Sequence, residues 1–317
     1  MRIVVALGGN ALLRRGEPMT AEAQHTNVRV AADALADLAR DHQIIVAHGN
    51  GPQVGLMALQ AAAYAPDSLW PLDILGAETE GMIGYLIEQE LMNALPAGTD
   101  CATLLTRVEV DPNDAAFSRP TKPIGPVYDA EDGRRIRAEN GWSMVEDAAG
   151  GLRRLVPSPL PVDILGIRSI RLLVEAGVCV ICAGGGGIPV VRGADGKMGG
   201  VEAVIDKDRT SALLAEALDA DVLLMLTDVE AVFQDWGGPD QAAIGRVTPD
   251  ALDAMTFAAG SMGPKTTAAS KFVRAGGAMA GIGRLQDARR IVEGRAGTQV
   301  RLEPRATSDH PVTGADH

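Results

Sequence analysis

The sequence is poor in aromatic residues and cysteine, and each shortage excludes a class of protein. Aromatic residues make up 3% of the 317 residues, so the core has to be built from Ala, Val, Leu and Ile. A single-stranded nucleic-acid binder with aromatic stacking platforms is therefore not supported. The three cysteines are odd in number and do not make a disulfide framework. No apolar run reaches the roughly 18 residues that a membrane span needs.

Positive charge is also scarce, because 29 basic residues stand against 41 acidic ones and the net charge is −12. This balance argues against a general affinity for nucleic-acid backbones or anionic lipid, so neither nucleic acid nor a membrane is expected as a partner. Any anionic ligand must be held by a local concentration of donors, and the partner is expected to be a small molecule. The amino-terminal apolar run is too short for a secretory signal, and a cytoplasmic protein is expected.

Lysine is the most informative shortage, because only five of the 29 basic residues are lysine. Lys122, Lys207 and Lys265 lie in the rigid or charged contexts PTKP, DKD and GPK. A compact ammonium on a flexible stem can follow a phosphoryl group as it moves, whereas a planar guanidinium cannot. Lys197 and Lys271 are interpreted as solvated surface residues. The other three are therefore candidates for holding an anion.

Alternating apolar runs, glycine turns and helical periodicity predict an α/β fold. Strands are predicted over 2–7 and 43–47, and helices over 20–40, 72–95 and near 210–218. Alternation of this kind indicates a mainly parallel sheet, whose ligands bind on loops at the carboxyl ends of the strands. The expected architecture is a three-layer αβα sandwich around a mainly parallel central sheet.

The segment from about residue 111 to 161, which we call the flap, interrupts this alternation with seven prolines. A disordered linker is one interpretation of such a composition. Its apolar and aromatic residues, Trp142 among them, are nevertheless enough for a small core, so a small protruding subdomain is predicted. Residues 305–317 are polar and predicted to be a flexible tail.

Glycine-rich corners recur where predicted strands end. They are Gly8-Gly9-Asn10, Gly49-Asn50-Gly51, Gly184 to Gly187, and Gly260-Ser261-Met262-Gly263. Glycine allows the backbone to approach a ligand closely and to point several N–H groups at an anion. Four such corners in one α/β chain favour a phosphate site over simple turns. Neither a GxxxxGK[ST] loop nor a GxGxxG after the first strand is present, and residues 193–197 are predicted to form a hairpin turn.

Other polar residues admit more than one interpretation. Asp206, Asp208 and Asp228 could bind a metal or orient lysines, and Asp228 could instead cap a turn. His48 is expected to support its glycine corner rather than to react. The CxxC pattern at 179–182 lies in an apolar strand, where its two sulfurs point to opposite faces and do not converge on a metal.

Read together, these corners resemble the carbamate kinases, a branch of the amino acid kinase family. The resemblance runs from Val4 to about Thr298, and its most specific parts are PTKPIGP at 120–126 and GSMGPK at 260–265. The other matching segments are ALGGNAL at 6–12, HGNGPQVG at 48–55, GMIGY at 81–85, VPSP at 156–159, GGGGIP at 184–189, VIDKD at 204–208 and LTDV at 226–229.

The resemblance implies reversible phosphoryl transfer between ATP and carbamate, giving ADP and carbamoyl phosphate. Such enzymes usually run toward ATP during arginine or related nitrogen catabolism. Mg²⁺ is expected to enter on ATP or ADP rather than on protein ligands. Residues 1–205 are expected to bind carbamate and carbamoyl phosphate, residues 206–304 are expected to bind the nucleotide, and a homodimer is expected.

Residue roles are carried over by motif. Lys207 and Lys265 are implied to flank the transferring phosphoryl group, Asp208 to hold them, and Lys122 to close from the flap onto carbamoyl phosphate. The implied substrate cradle is Gly8, Gly9, Asn10, Gly49, Asn50, Gly51 and Gln53. The implied nucleotide-binding residues are Gly184, Gly185, Asp228, Met262, Gly263 and Lys265.

Two residues depart from the pattern, and two other functions compete with it. Glu80 stands where glutamine is common in such sequences, which bears on packing near the cradle, and Gly166 stands where an acidic residue is usual.

An acetylglutamate or uridylate kinase-like enzyme of the same fold is one alternative, and the PTKPIGP flap argues against it. A non-catalytic nucleotide-binding regulator is the other, and retention of the four implied catalytic residues argues against it.

Overall fold

The computed structural model describes residues 1–13, 17–65, 68–147, 150–258 and 262–302. The strands within these residues are β1 (Arg2–Leu7), β2 (Gln43–His48), β3 (Cys101–Leu104), β4 (Arg107–Val110), β5 (Lys122–Tyr128), β6 (Ser143–Glu146), β7 (Leu152–Val156), β8 (Pro161–Ile164), β9 (Cys179–Cys182), β10 (Ile188–Arg192), β11 (Met198–Gly200), β12 (Val222–Thr227), β13 (Val232–Gln234), β14 (Ala242–Ile244), β15 (Arg246–Val247), β16 (Met279–Arg284) and β17 (Thr298–Val300).

Helices alternate with these strands. They are α1 (Gly9–Leu12), α2 (Ala21–Ala39), α3 (Gly51–Tyr64), α4 (Leu72–Ala94), α5 (Ala130–Asn140), α6 (Ile167–Glu175), α7 (Lys207–Ala217), α8 (Pro249–Asp253), α9 (Met262–Arg274) and α10 (Ala288–Val292). Short 3₁₀ turns span Ala115–Phe117, Gly184–Gly186 and Leu285–Asp287. None of the helices in the described part of the chain combines the length and the apolar character that a membrane crossing requires.

The main sheet carries the fold, and eight of the described strands form it in the order β15-β17-β16-β12-β1-β2-β9-β3. The neighbours from β16 to β3 are all parallel, whereas β17 runs antiparallel to β16. The predicted mainly parallel sheet is therefore confirmed. Both faces of such a sheet must be covered, which explains why its strands read as nearly continuous apolar runs.

Each face of the main sheet packs against its own layer of helices. On one face, Val174 of α6 and Phe272 of α9 pack with the strands. On the other, Leu35 of α2 and Ile87 of α4 do the same. Burying a side chain of this size stabilises the fold by roughly 1.5–3 kcal/mol relative to leaving it exposed. The three-layer αβα sandwich predicted from the sequence is confirmed.

The CxxC pattern shows how the pleat of β9 separates neighbouring side chains. Cys179 packs in the core that contains α2 and α4, whereas Cys182 packs in the core on the opposite face. Both are buried. The expected divergence of the two sulfurs is confirmed. The hairpin turn predicted at 193–197 is also confirmed, because β10 and β11 on either side of it pair in antiparallel fashion.

The flap has its own small core. Strands β5, β7 and β6 form an antiparallel sheet in that order, and Ile136 of α5 and Trp142 pack beside it. The flap backbone lies directly on α3, because a Cβ at Gly55 would be 1.9 Å from the Cα of Gly125. Gly125 also has a φ of +74°, a region that favours glycine. Two glycines therefore allow the flap to sit against α3.

Several glycine corners meet at one edge of the main sheet, because β12, β1, β2 and β9 are parallel neighbours and all end there. The N–H of Gly8 donates to the carbonyl of Leu226 at 2.8 Å, and the N–H of Gly49 donates to that of Leu7 at 3.0 Å. The ends of three adjacent strands are thus joined by hydrogen bonds. This edge is where an open α/β sheet binds its ligands.

Candidate active site

The start of α7 is determined by Asp206, which caps the helix. Its Oδ1 accepts hydrogen bonds from the backbone N–H groups of Asp208 at 3.0 Å and Arg209 at 3.3 Å. An aspartate in this position satisfies donors that the first turn leaves unpaired. The helix therefore begins at Lys207, three residues before the predicted start at Thr210. This places Lys207 and Asp208 in the first turn, at the sheet edge.

Three lysines converge on the two aspartates of this turn. Lys207 Nζ lies 2.6 Å from Asp208 Oδ1, and Lys265 Nζ lies 2.9 Å from Asp208 Oδ2. Lys122 Nζ, from the flap, lies 2.9 Å from Asp206 Oδ2. The side chains of Lys207, Lys265 and Lys122 are 10%, 12% and 22% exposed, so these ion pairs are shielded from water and screened less than surface pairs. The four residues predicted to be catalytic thus lie together.

The charges in this cluster stabilise each other against burial. Burial alone would raise the pKa of Asp208, but the ammonium groups of Lys207 and Lys265 outweigh it and lower that pKa. Burial would likewise lower the pKa of Lys265, but Asp208 outweighs it and raises that pKa. For Lys207 the effect of burial is larger than that of the neighbouring carboxylates, so its pKa is lowered. Of the two lysines that Asp208 holds, Lys207 therefore has the lowered pKa and Lys265 the raised one.

Lys207 also lies against the first two glycine corners. A Cβ at Gly49 would be 3.2 Å from the backbone nitrogen of Gly9 and 3.4 Å from Cε of Lys207. The corners after β1 and β2 therefore border the lysine that the resemblance assigns to the phosphoryl group. Gly51 begins α3 beside them. Asn10 lies in α1, and its side chain is outside the part of the chain that the structure describes.

Asn50 and Gln53 present buried amides at the start of α3. Asn50 is 4% exposed, and its Nδ2 donates to Oγ1 of Thr79 at 2.9 Å. Gln53 is 2% exposed, and neither its amide oxygen nor its amide nitrogen has a hydrogen-bond partner among the described residues. Buried polar atoms are rarely left without a partner, so a ligand or ordered water is expected at this amide.

The Gly184–Gly186 turn lies on the same side of the site as Asn50. A Cβ at Gly185 would be 2.2 Å from Nδ2 of Asn50, and one at Gly184 would be 2.3 Å from Nε2 of His48. These glycines allow the turn to press against both side chains. Gly184 and Gly185, predicted to bind nucleotide, thus border the predicted substrate cradle, and their assignment to the nucleotide remains a prediction.

Glu80 of α4 is a buried carboxyl group that the predicted site did not include. It is 1% exposed, and it accepts hydrogen bonds from the N–H groups of Gly184 at 2.8 Å and Thr106 at 3.2 Å. Burial raises its pKa to about 8, although both N–H groups oppose the change. The signal in the sequence was a pair of polar residues, Thr79 and Glu80, on the buried face of an apolar helix.

His48 lies next to this carboxyl group and is neutral. It is fully buried, and burial lowers its pKa to about 4. Its Nδ1 lies 3.2 Å from the carbonyl oxygen of Gly49, and its Nε2 has no hydrogen-bond partner among the described residues. The position of the ring, beneath the corner after β2, agrees with the expected supporting role.

The structure describes some of the residues that are predicted to bind the nucleotide. Met262 and Gly263 begin α9, which carries Lys265 in its first turn, and the N–H of Gly263 donates to the carbonyl of Ala258 at 2.9 Å. Asp228 follows β12 and is exposed, and its charge contributes to the raised pKa of Lys265. The other members of the fourth glycine corner, Gly260 and Ser261, lie outside the described residues.

Comparison with known proteins places this chain in a family. Residues 1–282 match the amino acid kinase family. The carbamate kinase of Haemophilus influenzae is 56% identical over 300 residues, which cover 95% of this chain and 96% of that protein. The structure is also similar to carbamate kinase from Giardia lamblia bound to citric acid, with a TM-score of 0.89, 38% identity, and coverage of 95% of this chain and 98% of that one. The same Giardia enzyme bound to AMP-PNP gives a TM-score of 0.85 at the same identity and coverage.

Replacing Glu80 with glutamine is predicted to remove one pH dependence of folding stability. Because the pKa of Glu80 is raised from 4.5 to about 8, the folded protein holds a proton that the unfolded chain releases between these pH values. Wild-type stability should therefore fall, relative to Glu80→Gln, by up to roughly 1.4 kcal/mol per pH unit across this range. Urea unfolding of both proteins at several pH values measures the difference. A difference that stays constant with pH would contradict the prediction.

Proposed function

Because the chain belongs to the amino acid kinase family and, within it, to the carbamate kinases, we propose that it makes ATP from ADP and carbamoyl phosphate. We propose that it does so in the cytosol. The reaction is reversible phosphoryl transfer. The breakdown of arginine or of a related nitrogen compound supplies the carbamoyl phosphate. The observation that carries the proposal is the Asp208 carboxylate, which holds Lys207 and Lys265 at 2.6 and 2.9 Å.

The chemistry requires positioning and positive charge rather than a base. Carbamate already carries a charged oxygen, so its attack on a phosphoryl group needs no proton removal. What the reaction needs is in-line placement of the reactants and compensation of negative charge on the phosphoryl oxygens. Three ammonium groups and two carboxylates give the cluster a net charge of +1 in a protein whose net charge is −12.

Each residue of the cluster has a separate role in this proposal. Lys207 and Lys265 contact the transferring phosphoryl group from opposite sides, and Asp208 keeps both ammonium groups in place. Lys122 reaches the cluster from the flap, so closing of the flap over carbamoyl phosphate would bring it to the phosphate. Its contact with Asp206 at 2.9 Å supports a position beside the reacting groups.

Gln53 supports recognition of a carbamoyl group. A carboxamide offers an NH2 group that donates and a carbonyl oxygen that accepts, and both Nε2 and Oε1 of Gln53 are buried and without a partner among the described residues. The carbamoyl group offers the complementary acceptor and donor. An acetyl group lacks the N–H donor, so it would leave a buried acceptor unpaired, which is costly.

Magnesium fits this site as a companion of the nucleotide. Within the described residues no three His, Cys, Asp or Glu side chains are grouped so that they could hold a metal ion. The carboxylates of Asp206 and Asp208 are instead paired with lysines. We expect the ion to be held by the phosphate oxygens of ATP or ADP, where it would neutralise phosphate charge.

We also propose that two copies of the chain associate through α4. Ile74, Met82 and Tyr85 of this helix are 38%, 38% and 60% exposed, and Leu105, whose side chain lies beside Gly81 of the same helix, is 59% exposed. Apolar groups exposed together mark interaction surfaces. Light scattering on the purified protein should give the mass of a dimer, and a monomer at micromolar concentration would contradict this proposal.

Purified protein with Mg²⁺ is predicted to form ATP from ADP and carbamoyl phosphate. Acetyl phosphate should be a poorer donor, because it cannot supply the N–H that the buried amide of Gln53 requires. A luciferase or hexokinase-coupled assay measures ATP directly. Equal rates with N-acetylglutamyl phosphate would favour an acetylglutamate kinase instead, and no ATP from any donor would favour a non-catalytic regulator.

Lys207→Ala is predicted to reduce kcat about 10²–10³-fold, the usual effect of removing one preorganised electrostatic donor. The KM for ADP should change little, because Lys207 lies against the corners after β1 and β2. Lys207→Arg should restore little activity, since the planar guanidinium cannot occupy the same point. The exposed Lys271 of α9 provides the matched control, and Lys271→Ala should behave as wild type. Near-normal turnover of folded Lys207→Ala would contradict the assigned role.

A further inference from the structure

Asn50 occupies the position before α3 where asparagine usually caps a helix, but it does not cap this one. The side-chain oxygen of a capping residue ordinarily accepts from the N–H of the second or third helical residue. Asn50 makes no bond of this kind, and the second residue of α3 is Pro52, which has no N–H. The amide of Asn50 is therefore not used to stabilise the start of the helix, although Asn50 is only 4% exposed.

Thr79 of α4 determines which way this amide is turned. Thr79 is fully buried, and its hydroxyl donates to the carbonyl of Leu75 at 2.9 Å and to that of Gly76 at 3.0 Å. The one hydrogen of the hydroxyl is thus used within α4, so Thr79 can only accept from Asn50. The 2.9 Å contact between the two side chains must then come from the NH2 group of Asn50, Nδ2. The bonds that Thr79 makes to its own helix therefore assign the two ends of the Asn50 amide.

The other end of the amide, the carbonyl oxygen Oδ1, has no hydrogen-bond partner among the described residues. The Gly184–Gly186 turn presses on the same amide, because a Cβ at Gly185 would be 2.2 Å from Nδ2 and 2.6 Å from Oδ1. The preceding residue, Gly49, borders Cε of Lys207. An acceptor in so enclosed a place is rarely left unpaired, so a donor on a ligand beside Lys207 is expected to meet it.

The carbamoyl group has donors that match this acceptor. Its NH2 group carries two N–H bonds and can donate to two acceptors at once. One acceptor is Oδ1 of Asn50, and the other is Oε1 of Gln53, which is buried without a partner in the described part of the chain. Gln53 is the third residue of α3, so both amides stand at the same end of this helix. The methyl group of acetyl phosphate could donate to neither.

We propose that Thr79 is a positioning residue that determines specificity for the carbamoyl group. By accepting from Nδ2 of Asn50, it keeps Oδ1 available for one N–H of carbamoyl phosphate, while Gln53 accepts the other. This inference rests on the proposed function. Thr79 does not touch the substrate and acts through Asn50. Without the hydroxyl, the amide would be free to turn over and present its NH2 group to the NH2 group of the substrate, a contact between two donors that disfavours binding.

Thr79→Val is the decisive variant, because it removes the hydroxyl and keeps the branched shape of the side chain. Thr103→Val on β3 is the matched control. Thr103 packs against the same helix, since its Cγ2 would be 2.4 Å from a Cβ at Gly84. Its hydroxyl oxygen is buried but has no hydrogen-bond partner among the described residues, so the same chemical change breaks no contact there. Thr79→Ser, which retains a hydroxyl, tests for rescue.

The measured quantity is the ratio of kcat/KM for carbamoyl phosphate to kcat/KM for acetyl phosphate, with ADP as acceptor. We expect Thr79→Val to lower kcat/KM for carbamoyl phosphate about tenfold, the usual effect of losing one hydrogen bond to the substrate. Activity with acetyl phosphate should fall less than threefold, because no N–H is lost, so the ratio should fall. Thr79→Ser and Thr103→Val should keep the ratio within about twofold of wild type.

A second comparison tests whether Thr79 acts through Asn50. In an Asn50→Ala background, Thr79→Val should change the ratio less than twofold, because the amide that Thr79 orients is absent. An undiminished effect in that background would overturn the proposal. So would an equal loss of activity with both phosphates, which is what a merely structural role of Thr79 predicts.

The outcomes also separate this inference from the proposed function. Active wild-type protein whose ratio is unchanged by Thr79→Val would overturn the inference alone. Wild-type protein that makes no ATP from carbamoyl phosphate would overturn the proposed function and this inference with it. Should Thr79→Val not fold, Thr79→Cys replaces it, since a thiol is a weak acceptor and should lower the ratio in the same direction.

Discussion

The carboxylate of Asp208 is the group on which the rest of the site depends. Its two oxygens hold the ammonium groups of Lys207 and Lys265 at 2.6 and 2.9 Å, and these lysines come from the first turns of two different helices. Two buried ammonium groups this close would repel each other strongly without an anion between them. Asp208 therefore makes it possible for α7 and α9 to present positive charge to the same point at the sheet edge.

Burial of this cluster is not explained by folding stability. Removing charges from water costs several kcal/mol for each ion, and apolar replacements of a buried ion pair are often as stable. The proposed chemistry gives the cluster a reason, because fixed charges in a water-poor site would need no reorganisation when negative charge develops on a phosphoryl group. A protein with a net charge of −12 can attract a phosphate at this edge because its lysines are concentrated there.

The sequence predicted where the site lies better than it predicted how the site is held together. The mainly parallel sheet followed from the alternation of strands and helices, and a parallel sheet necessarily brings the corners after β1, β2 and β9 to one edge. The shortage of lysine identified Lys122, Lys207 and Lys265, and the structure places them together. These inferences succeeded because they depend on local pattern and on the topology that follows from it.

The remaining features depend on contacts between segments far apart in the chain. Lys122 and Asp206 are 84 residues apart, and Glu80 and Gly184 are 104 residues apart, so no spacing rule connects them. The glycine corners also look alike in the sequence, and only the structure shows that the Gly184–Gly186 turn lies against Asn50 and His48. Helical periodicity predicts that Glu80 faces the core, but only the packed structure identifies the N–H groups it accepts from.

Asp208 and Glu80 show how equal burial can lead to opposite protonation. Both carboxyl groups are at most 3% exposed, so burial favours the neutral form of each. Asp208 lies between two ammonium groups, which lower its pKa, whereas Glu80 accepts from neutral N–H groups, which leave its pKa at about 8. The lowered pKa of Asp208 consequently favours its charged form, whereas Glu80 changes charge near pH 8. The charged carboxylate lies between the two lysines, and the titrating one lies behind the Gly184–Gly186 turn, whose N–H donates to it.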